Sequence, residues 1–248
     1  VGDGQEIANA TGIMTINDFR SEDVSKGGQG APLVPIGDRH LFAEFPICLN
    51  IGGIANVSYE MNGRRVAYDI CMANQLLNYL ANKLGYDYDN NGQFAKQGKV
   101  DKELFDILND NAYYKQDAPK SLGREFFENV QHKIIDESSL SINDLLATAT
   151  EHIAHQIVKS TDNLEKSKML VTGGGAKNNF LIERICSLSK HEIVIPDVMI
   201  TDFKEALIFA FLGVLKMEGK INVLSSVTGA SSDSSSGKTY QVELKVES

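Results

Sequence analysis

The sequence predicts an α/β fold, and three observations lead to this prediction. Short stretches of alternating apolar and polar residues follow one another closely, at residues 46–51, 56–61 and 64–69. Asn62-Gly63, between the last two, is a hairpin-turn signal. Segments with helical spacing of apolar residues come next, and a later apolar run, Lys168–Thr172, ends in three glycines before another helical segment. We therefore expect a sheet that begins with an antiparallel meander and is covered by helices.

Apolar spacing and turn residues place the remaining elements in chain order. Further strands are predicted at Ile13–Ile16 and Glu192–Ile195, and Ser141 is the predicted N-cap of a long helix. The Ser/Gly-rich stretch 225–236 is predicted to be a mobile loop. The predicted helices are Gly4–Ala10, Asn74–Leu84, Lys102–Asp110, Arg124–Ser138, Ile142–Thr161, Asn178–Ser189 and Phe203–Met217, the last expected to be buried on more than one face.

The composition of the 248 residues narrows the class of protein. With 42% hydrophobic and 23% charged residues, the chain is globular and long enough to bury a core without disulfides. Its net charge of −9 argues against a broad nucleic-acid surface, which needs a basic face. Cys48, Cys71 and Cys186 form no metal-binding pattern, and the first two lie in apolar contexts. Since no apolar run is long enough to span a bilayer, we expect a cytoplasmic protein that contacts neither nucleic acid nor membrane.

Two glycine turns are the main candidates for ligand binding. Gly52-Gly53-Ile54-Ala55-Asn56 follows the apolar run 45–51, and Gly173-Gly174-Gly175 follows Lys168–Thr172. Glycine after a strand lets the backbone turn sharply and bring its N–H groups against an anion such as a phosphate. The first turn has the alternative interpretation of an ordinary hairpin turn. Three consecutive glycines indicate that another group approaches the backbone closely.

Three charged residues each have a functional and a structural interpretation. Asp69 closes a strand-like run between the two glycine turns, so it is either a general base or a helix cap. Arg20 is either an anion clamp or a surface ion-pair partner. Glu205, near the predicted start of an apolar helix, either contributes to a site or interacts with the helix dipole. His152 and His155 have no third ligand candidate nearby, so we expect no metal site there.

Several blocks of the sequence together resemble the 1,6-anhydro-N-acetylmuramic acid kinases, in the superfamily of sugar kinases, Hsp70 and actin. The resemblance extends over essentially all 248 residues. It departs from the family at Ile70-Cys71-Met72-Ala73, where the family has Thr-Gly-Pro-Gly. The blocks that carry it are Gly2-Asp3-Gly4, Asp18–Val24, Gly27–Pro35, Asn50–Asn56, Asp69 with Asn74, Gly123-Arg124-Glu125, Thr172–Asn178, Lys204-Glu205-Ala206 with Phe209-Ala210, and Val227–Ala230.

The resemblance implies an actin-like ATPase fold of the ribonuclease H-like type, with two domains. Residues 1–45 would be the remnant of an incomplete domain I, and residues 46–248 a nucleotide-binding domain II. The implied reaction opens 1,6-anhydro-N-acetylmuramic acid with water and phosphorylates its O6, using ATP and Mg²⁺. Asp69 would be the catalytic base. The implied sugar ligands are Arg20, Asn74 and Glu205, and the implied nucleotide ligands are Gly52, Gly53 and Asn56 at the β/γ-phosphates and Gly173, Gly174 and Gly175 near the adenosine, with no metal ligand from the protein.

Two alternatives remain open at the level of sequence. One is a catalytically incomplete fragment or pseudo-kinase that binds ligands without turnover, and the other is a sugar kinase of the same superfamily with a different substrate. The resemblance places the family's first phosphate-binding loop upstream of Val1, so we expect this chain alone to bind ATP weakly and to lack turnover. The sequence also leaves open whether the protein forms a homodimer.

Overall fold

A computed structural model describes residues 2–243 and shows a mixed α/β protein. Its larger sheet has five strands in the order β4-β3-β2-β5-β6, and β1 pairs antiparallel with β7 in a separate ribbon. The α/β class predicted from the sequence is therefore confirmed. The strands are β1 Thr15–Asn17, β2 Ile47–Ile51, β3 Ile54–Met61, β4 Arg64–Met72, β5 Lys168–Thr172, β6 Glu192–Val194 and β7 Lys238–Tyr240.

The larger sheet combines the predicted meander with a parallel half. β2, β3 and β4 are successive antiparallel neighbours, whereas β5 runs parallel to β2 and β6 parallel to β5. The parallel pairing brings the end of β5, and the glycines that follow it, next to the end of β2 and the Gly52-Gly53 turn. The two glycine turns thus meet at one edge of the sheet, although they are far apart in sequence.

Most of the predicted helices are present, and the structure adds short ones, such as Pro35–Leu41 and Gln93–Gln97, that were not predicted. Ile142–Thr161 has the predicted bounds, and the Ser141 side chain accepts a hydrogen bond from the Asp144 N–H, so the predicted N-cap is confirmed. The α-helices are Gly4–Thr11, Ser21–Ser25, Pro35–Leu41, Asn74–Asn82, Gln93–Gln97, Lys102–Asn109, Arg124–Phe126, His132–Asp136, Ile142–Thr161, Asn179–Leu188, Val198–Met217 and Ser225–Thr228, with a π-helical turn at Phe127–Gln131 and 3₁₀ turns at Asn90–Gly92, Ala112–Lys115 and Gly174–Lys177.

The chain divides into two compact units. The first, which we call the sheet unit, is Phe42–Lys204, and the second, the discontinuous unit, comprises the described residues of Val1–Leu41 and Glu205–Ser248. The predicted domain division, residues 1–45 and 46–248, has its boundary near Leu41. It differs from these units in assigning the C-terminal stretch to the second domain.

The core of the sheet unit forms around helix Ile142–Thr161. This helix packs against strand β4 and against four other helices. Along it, Leu146, Ala149, Ile153 and Ile157 are fully buried. Burial of this apolar face is the main favourable contribution to folding here. The helices it contacts are Asn74–Asn82, Gln93–Gln97, Lys102–Asn109 and Asn179–Leu188.

Three local predictions are wrong. Strand β4 continues to Met72, because Cys71 and Met72 remain paired with β3 and are buried together with Ile70, so Asp69 lies inside the strand and not at its end. The last long helix begins at Val198, and several of its apolar side chains, among them Phe203, are exposed. Residues 225–236 are not a loop throughout, since they include helix Ser225–Thr228 and buried, hydrogen-bonded serines at 234 and 236.

Other predictions from composition concern cysteines and membrane spans. Cys48 and Cys71 are buried and unpaired, as predicted, and Cys186 is exposed. Over residues 2–243, no helix combines the length and the apolarity needed to cross a bilayer.

Candidate functional site

A row of polar residues crosses four strands of the sheet unit. Thr172 on β5 pairs with Asn50 on β2, Asn50 pairs with Asn56 on β3, and Asn56 pairs with Asp69 on β4. Directly paired residues share one face of a sheet, so the four side chains form one polar line. Their neighbours along the strands, such as Leu49, are fully buried and apolar. Thr172 is itself fully buried, whereas Asn50, Asn56 and Asp69 are half-buried, so these three are the members of the line that a ligand could reach.

A register shift lies at the Asp69 end of this row. Ala55 pairs with Cys71, but Asn56 pairs with Asp69, so Ile70 is an extra residue in β4. Such bulges redirect a side chain and are frequent next to active sites. Because Asp69 lies inside β4, and helix Asn74–Asn82 is preceded by Ala73 without a side-chain cap, the helix-cap interpretation of Asp69 is wrong.

The Asp69 carboxylate is half-buried and held at one oxygen. Oδ2 accepts a hydrogen bond of 2.9 Å from the Leu122 N–H, and within residues 2–243 no partner binds Oδ1. Burial raises the pKa of Asp69, and the Leu122 hydrogen bond lowers it in part. A carboxylate with one oxygen fixed, the other available and a raised pKa has the properties of a general base.

The segment that carries Leu122 is fastened to Asp69 along its backbone. The Asp69 N–H donates to the Lys120 carbonyl at 3.3 Å, and the Tyr113 hydroxyl donates to the Asp69 carbonyl at 2.5 Å. The Lys120 ammonium lies 5.3 Å from the ring centre of Tyr68 and 4.8 Å from that of Tyr113, and burial lowers its pKa. Sequence reasoning missed these contacts, because they join residues about 50 positions apart in a stretch without a distinctive motif.

Asn74 is hydrogen-bonded to the first glycine turn and to the residue before it. Its side-chain amide donates to the Ile51 carbonyl at 3.2 Å. The carbonyls of Gly52 and Gly53 accept hydrogen bonds from the N–H groups of residues 73–75, which begin the following helix. These N–H groups are therefore engaged by the protein itself. In the described structure the N–H groups of Gly52 and Gly53 donate to no protein acceptor, so they are the ones available to an anion.

The five glycines of the two turns fall into two groups. At Gly173, which has a φ of +84°, a Cβ atom would lie 2.7 Å from Asn50 Oδ1, and at Gly175 it would lie 2.2 Å from Ile51 Cγ2. The group that approaches these two positions is therefore the protein's own β2 strand. At Gly52, Gly53 and Gly174 a Cβ atom would approach no neighbour closer than 3.4 Å. Packing does not require glycine at these three, and they leave space for a ligand.

The structure gathers eight of the ten predicted site residues in the sheet unit. Asp69, Asn74, Asn56 and the glycines lie at or beside the ends of β2 and β5 or along the polar row. Asn50 belongs to the same row, and its polar character within an apolar strand is the sequence signal that could have identified it.

Arg20 and Glu205 belong to the discontinuous unit. The Arg20 guanidinium donates to the Gly30 carbonyl, and its side chain lines a cavity of about 420 Å³ together with Ile16, Asn17, Asp18, Phe19 and Phe209. Glu205 is exposed, and it is the eighth residue of helix Val198–Met217. The helix-dipole interpretation of Glu205 is wrong, because that interaction falls off beyond the first turn.

The family model that matches this chain and its curated sequence relatives have the same name. The chain matches the family described as Anhydro-N-acetylmuramic acid kinase over residues 1–242. The protein of that name from Actinobacillus pleuropneumoniae serotype 7 is 36% identical, with 97% of this chain and 69% of that protein covered. The one from Vibrio cholerae serotype O1 is 38% identical, with 97% and 68% covered.

Likeness to solved structures is weaker. The activator of 2-hydroxyisocaproyl-CoA dehydratase from Clostridium difficile, with bound ADPNP, superposes with a TM-score of 0.43 at 19% identity, covering 66% of this chain and 57% of that chain. The family assignment therefore rests on the sequence matches alone.

The division of the glycines into two groups predicts different effects on stability. Gly175→Ala must displace Ile51 and should lower the free energy of unfolding by about 1–3 kcal/mol, as overpacking does. The matched variant Gly174→Ala has room for its methyl group and should stay within about 0.5 kcal/mol of the wild type. Urea unfolding of the three proteins is the measurement. Equal destabilisation by both substitutions would contradict the division.

Proposed function

This chain belongs to the anhydro-N-acetylmuramic acid kinase family and is an ATP-dependent sugar kinase; on that premise we propose its reaction and its site. Membership of this family implies the actin-like ATPase fold. The proposed reaction opens 1,6-anhydro-N-acetylmuramic acid hydrolytically and transfers the γ-phosphoryl group of ATP to the freed O6. The products are N-acetylmuramic acid 6-phosphate and ADP.

The observation that carries the proposal is the environment of Asp69. Water is a weak nucleophile, so its attack on C1 needs a base that accepts a proton as the new C1–O bond forms. Asp69 Oδ1 is available for that proton, while the Leu122 N–H holds Oδ2 in place. As the C1–O6 bond breaks, O6 attacks the γ-phosphorus of ATP, the bond from phosphorus to the β-phosphate oxygen breaks, and ADP leaves.

The glycine turns support nucleotide binding beside this base. The free N–H groups of Gly52 and Gly53 are proposed to contact the β- and γ-phosphates, with Asn56 next to Asp69 in the polar row. Gly174 is exposed and leaves space for the adenosine side, whereas Gly173 and Gly175 shape that turn through their packing on β2.

The metal in this proposal arrives with the nucleotide. Among residues 2–243 no three His, Cys, Asp or Glu side chains cluster in a way that could hold a metal ion. Mg²⁺ carried on the phosphates of ATP does not need such a cluster, since it keeps several waters and takes only one or two protein ligands. When bound, Mg²⁺ would neutralise charge on the transferred phosphoryl group.

The sugar ligands are proposed from the family resemblance. Arg20, Glu205 and Asn74 are the residues proposed to contact the sugar. Arg20 lines a cavity with both aromatic and polar walls, which suits a sugar. A cytoplasmic location is proposed as well, because the three cysteines form no disulfide.

One observation favours a second candidate, a protein that binds these ligands without turnover. Where the family has Thr-Gly-Pro-Gly, this chain has Ile70, Cys71 and Met72 buried in β4, followed by Ala73. A buried strand at this point gives the backbone beside the base a different shape from a glycine-containing turn. Ligand binding without release of ADP would favour this candidate.

Asp69→Asn tests the base directly. In the full-length protein encoded by its gene, this variant should keep its fold and its ATP affinity but lose roughly 10²–10⁴ in kcat, the usual contribution of a general base. Steady-state ADP release with the anhydro sugar is the measurement, and Asp110→Asn, at an exposed surface ion pair, is the control. If Asp69→Asn turned over like the control, Asp69 would have no catalytic role.

The pH dependence of the reaction provides an independent prediction. The base acts only when deprotonated, and burial raises the pKa of Asp69. The value of kcat/KM should therefore fall as the pH drops through that raised pKa, at a higher pH than for an ordinary aspartate. A pH profile of the wild type measures this acidic limb. An identical limb in Asp69→Asn would assign it to another group.

Gly174→Val tests the nucleotide assignment. The branched side chain would occupy the space left open at Gly174, so ATP affinity should fall by about tenfold or more, and sugar affinity should change much less. Calorimetric titration with each ligand is the measurement, and circular dichroism checks the fold. Unchanged ATP affinity in the folded variant would remove Gly174 from the site.

A further inference from the structure

We propose that Asp23 is a positioning residue that holds Arg20 in place for sugar binding. The inference rests on the proposed function, since it takes Arg20 to be a sugar ligand. Asp23 lies in helix Ser21–Ser25 of the discontinuous unit and is completely buried. A buried carboxylate is costly unless hydrogen bonds compensate it. Its partners therefore indicate what it does.

Both carboxylate oxygens of Asp23 are engaged. Oδ2 accepts from the Gly30 N–H at 2.8 Å, and Oδ1 accepts from the Thr228 hydroxyl at 2.7 Å. The Asp23 backbone carbonyl accepts a further bond from the Gly28 N–H at 3.0 Å. One residue thus fastens the glycine-rich loop Gly27–Pro32 to a segment about 200 positions away in the sequence.

The same loop residue that Asp23 holds also holds Arg20. Gly30 donates its N–H to Asp23 and accepts at its carbonyl from the Arg20 guanidinium. Gly30 is buried, and its φ of +68° lies in the left-handed region that favours glycine. Asp23 and Arg20 are therefore connected through a single residue, whose two peptide groups they hold.

The glycine-rich loop packs directly against the Asp23 carboxylate. A Cβ atom at Gly28 would lie 2.2 Å from Asp23 Oδ2 and 2.9 Å from Ala230 Cβ, so the backbone of the loop lies directly on Asp23 and on the segment after Thr228. The Gln29 N–H donates to the Thr228 carbonyl at 3.0 Å. Loss of the Asp23 carboxylate would leave these backbone bonds of Gln29 and Gly28 in place but would remove the acceptor of the Gly30 N–H. The Arg20 guanidinium would then lose its fixed acceptor.

The test is a double-mutant cycle with sugar affinity as the readout. Asp23→Ala in the full chain should weaken binding of 1,6-anhydro-N-acetylmuramic acid by roughly tenfold or more, and leave ATP affinity within about twofold. In an Arg20→Ala background the same substitution should have no further effect, because Asp23 acts through Arg20. Glu22→Ala, at a neighbouring surface ion pair, is the control that should change neither affinity.

A second pair of variants applies if Asp23→Ala does not fold. Thr228→Val removes the hydroxyl that binds Asp23 and should weaken sugar binding, while Thr228→Ser keeps the hydroxyl and should restore it. Hydrogen exchange of the Gly30 amide should accelerate in Thr228→Val but not in Thr228→Ser.

The experiments distinguish a failure of the positioning role of Asp23 from a failure of the proposed function. If the wild type bound the anhydro sugar and Arg20→Ala weakened it, but Asp23→Ala or Thr228→Val left it unchanged, the positioning role would be overturned and the proposed function would stand. An Asp23→Ala effect that persisted in full without Arg20 would also overturn it. If the wild type bound no anhydro sugar, the proposed function would fail and this inference with it.

Discussion

The proposed chemistry depends on one half-buried carboxylate, that of Asp69, which a single N–H group holds in place. Burial disfavours its charged form and so raises its pKa, while one hydrogen bond from Leu122 limits that effect. The strand that carries Asp69 continues on both sides as paired, mostly buried backbone, so the carboxylate has little freedom to move away. The register shift at Ile70 sets its direction.

The glycine turns contribute in two different ways to the site around this carboxylate. Gly173 and Gly175 let the turn after β5 close tightly on Ile51, which fixes the distance between the ends of β2 and β5. Gly52, Gly53 and Gly174 leave space, and the first two also leave N–H groups without a protein acceptor. A ligand that carries phosphates uses both properties, because it needs donors and a close approach to the backbone.

Periodicity predicted the regular elements well, and long-range contacts account for most of what it missed. Helix Ile142–Thr161 and strand Lys168–Thr172 were predicted to the residue, because each has a strong apolar pattern and clear end signals. The course of β4 beyond Asp69 depends on pairing with β3, and the contact of Leu122 with Asp69 depends on tertiary packing. Nothing local encodes either. Glu205 does not lie in the first turn of its helix, because the helix begins at Val198, ahead of the apolar run that predicted it.

We propose that Asp69 directs water to C1 while O6 receives the phosphoryl group. The decisive experiment is a reaction of the full-length protein in H₂¹⁸O, stopped early and analysed by mass spectrometry. We expect one ¹⁸O atom at C1 of the sugar product and none in its phosphate group. An unlabelled sugar product, or ¹⁸O appearing only in inorganic phosphate from ATP, would contradict it.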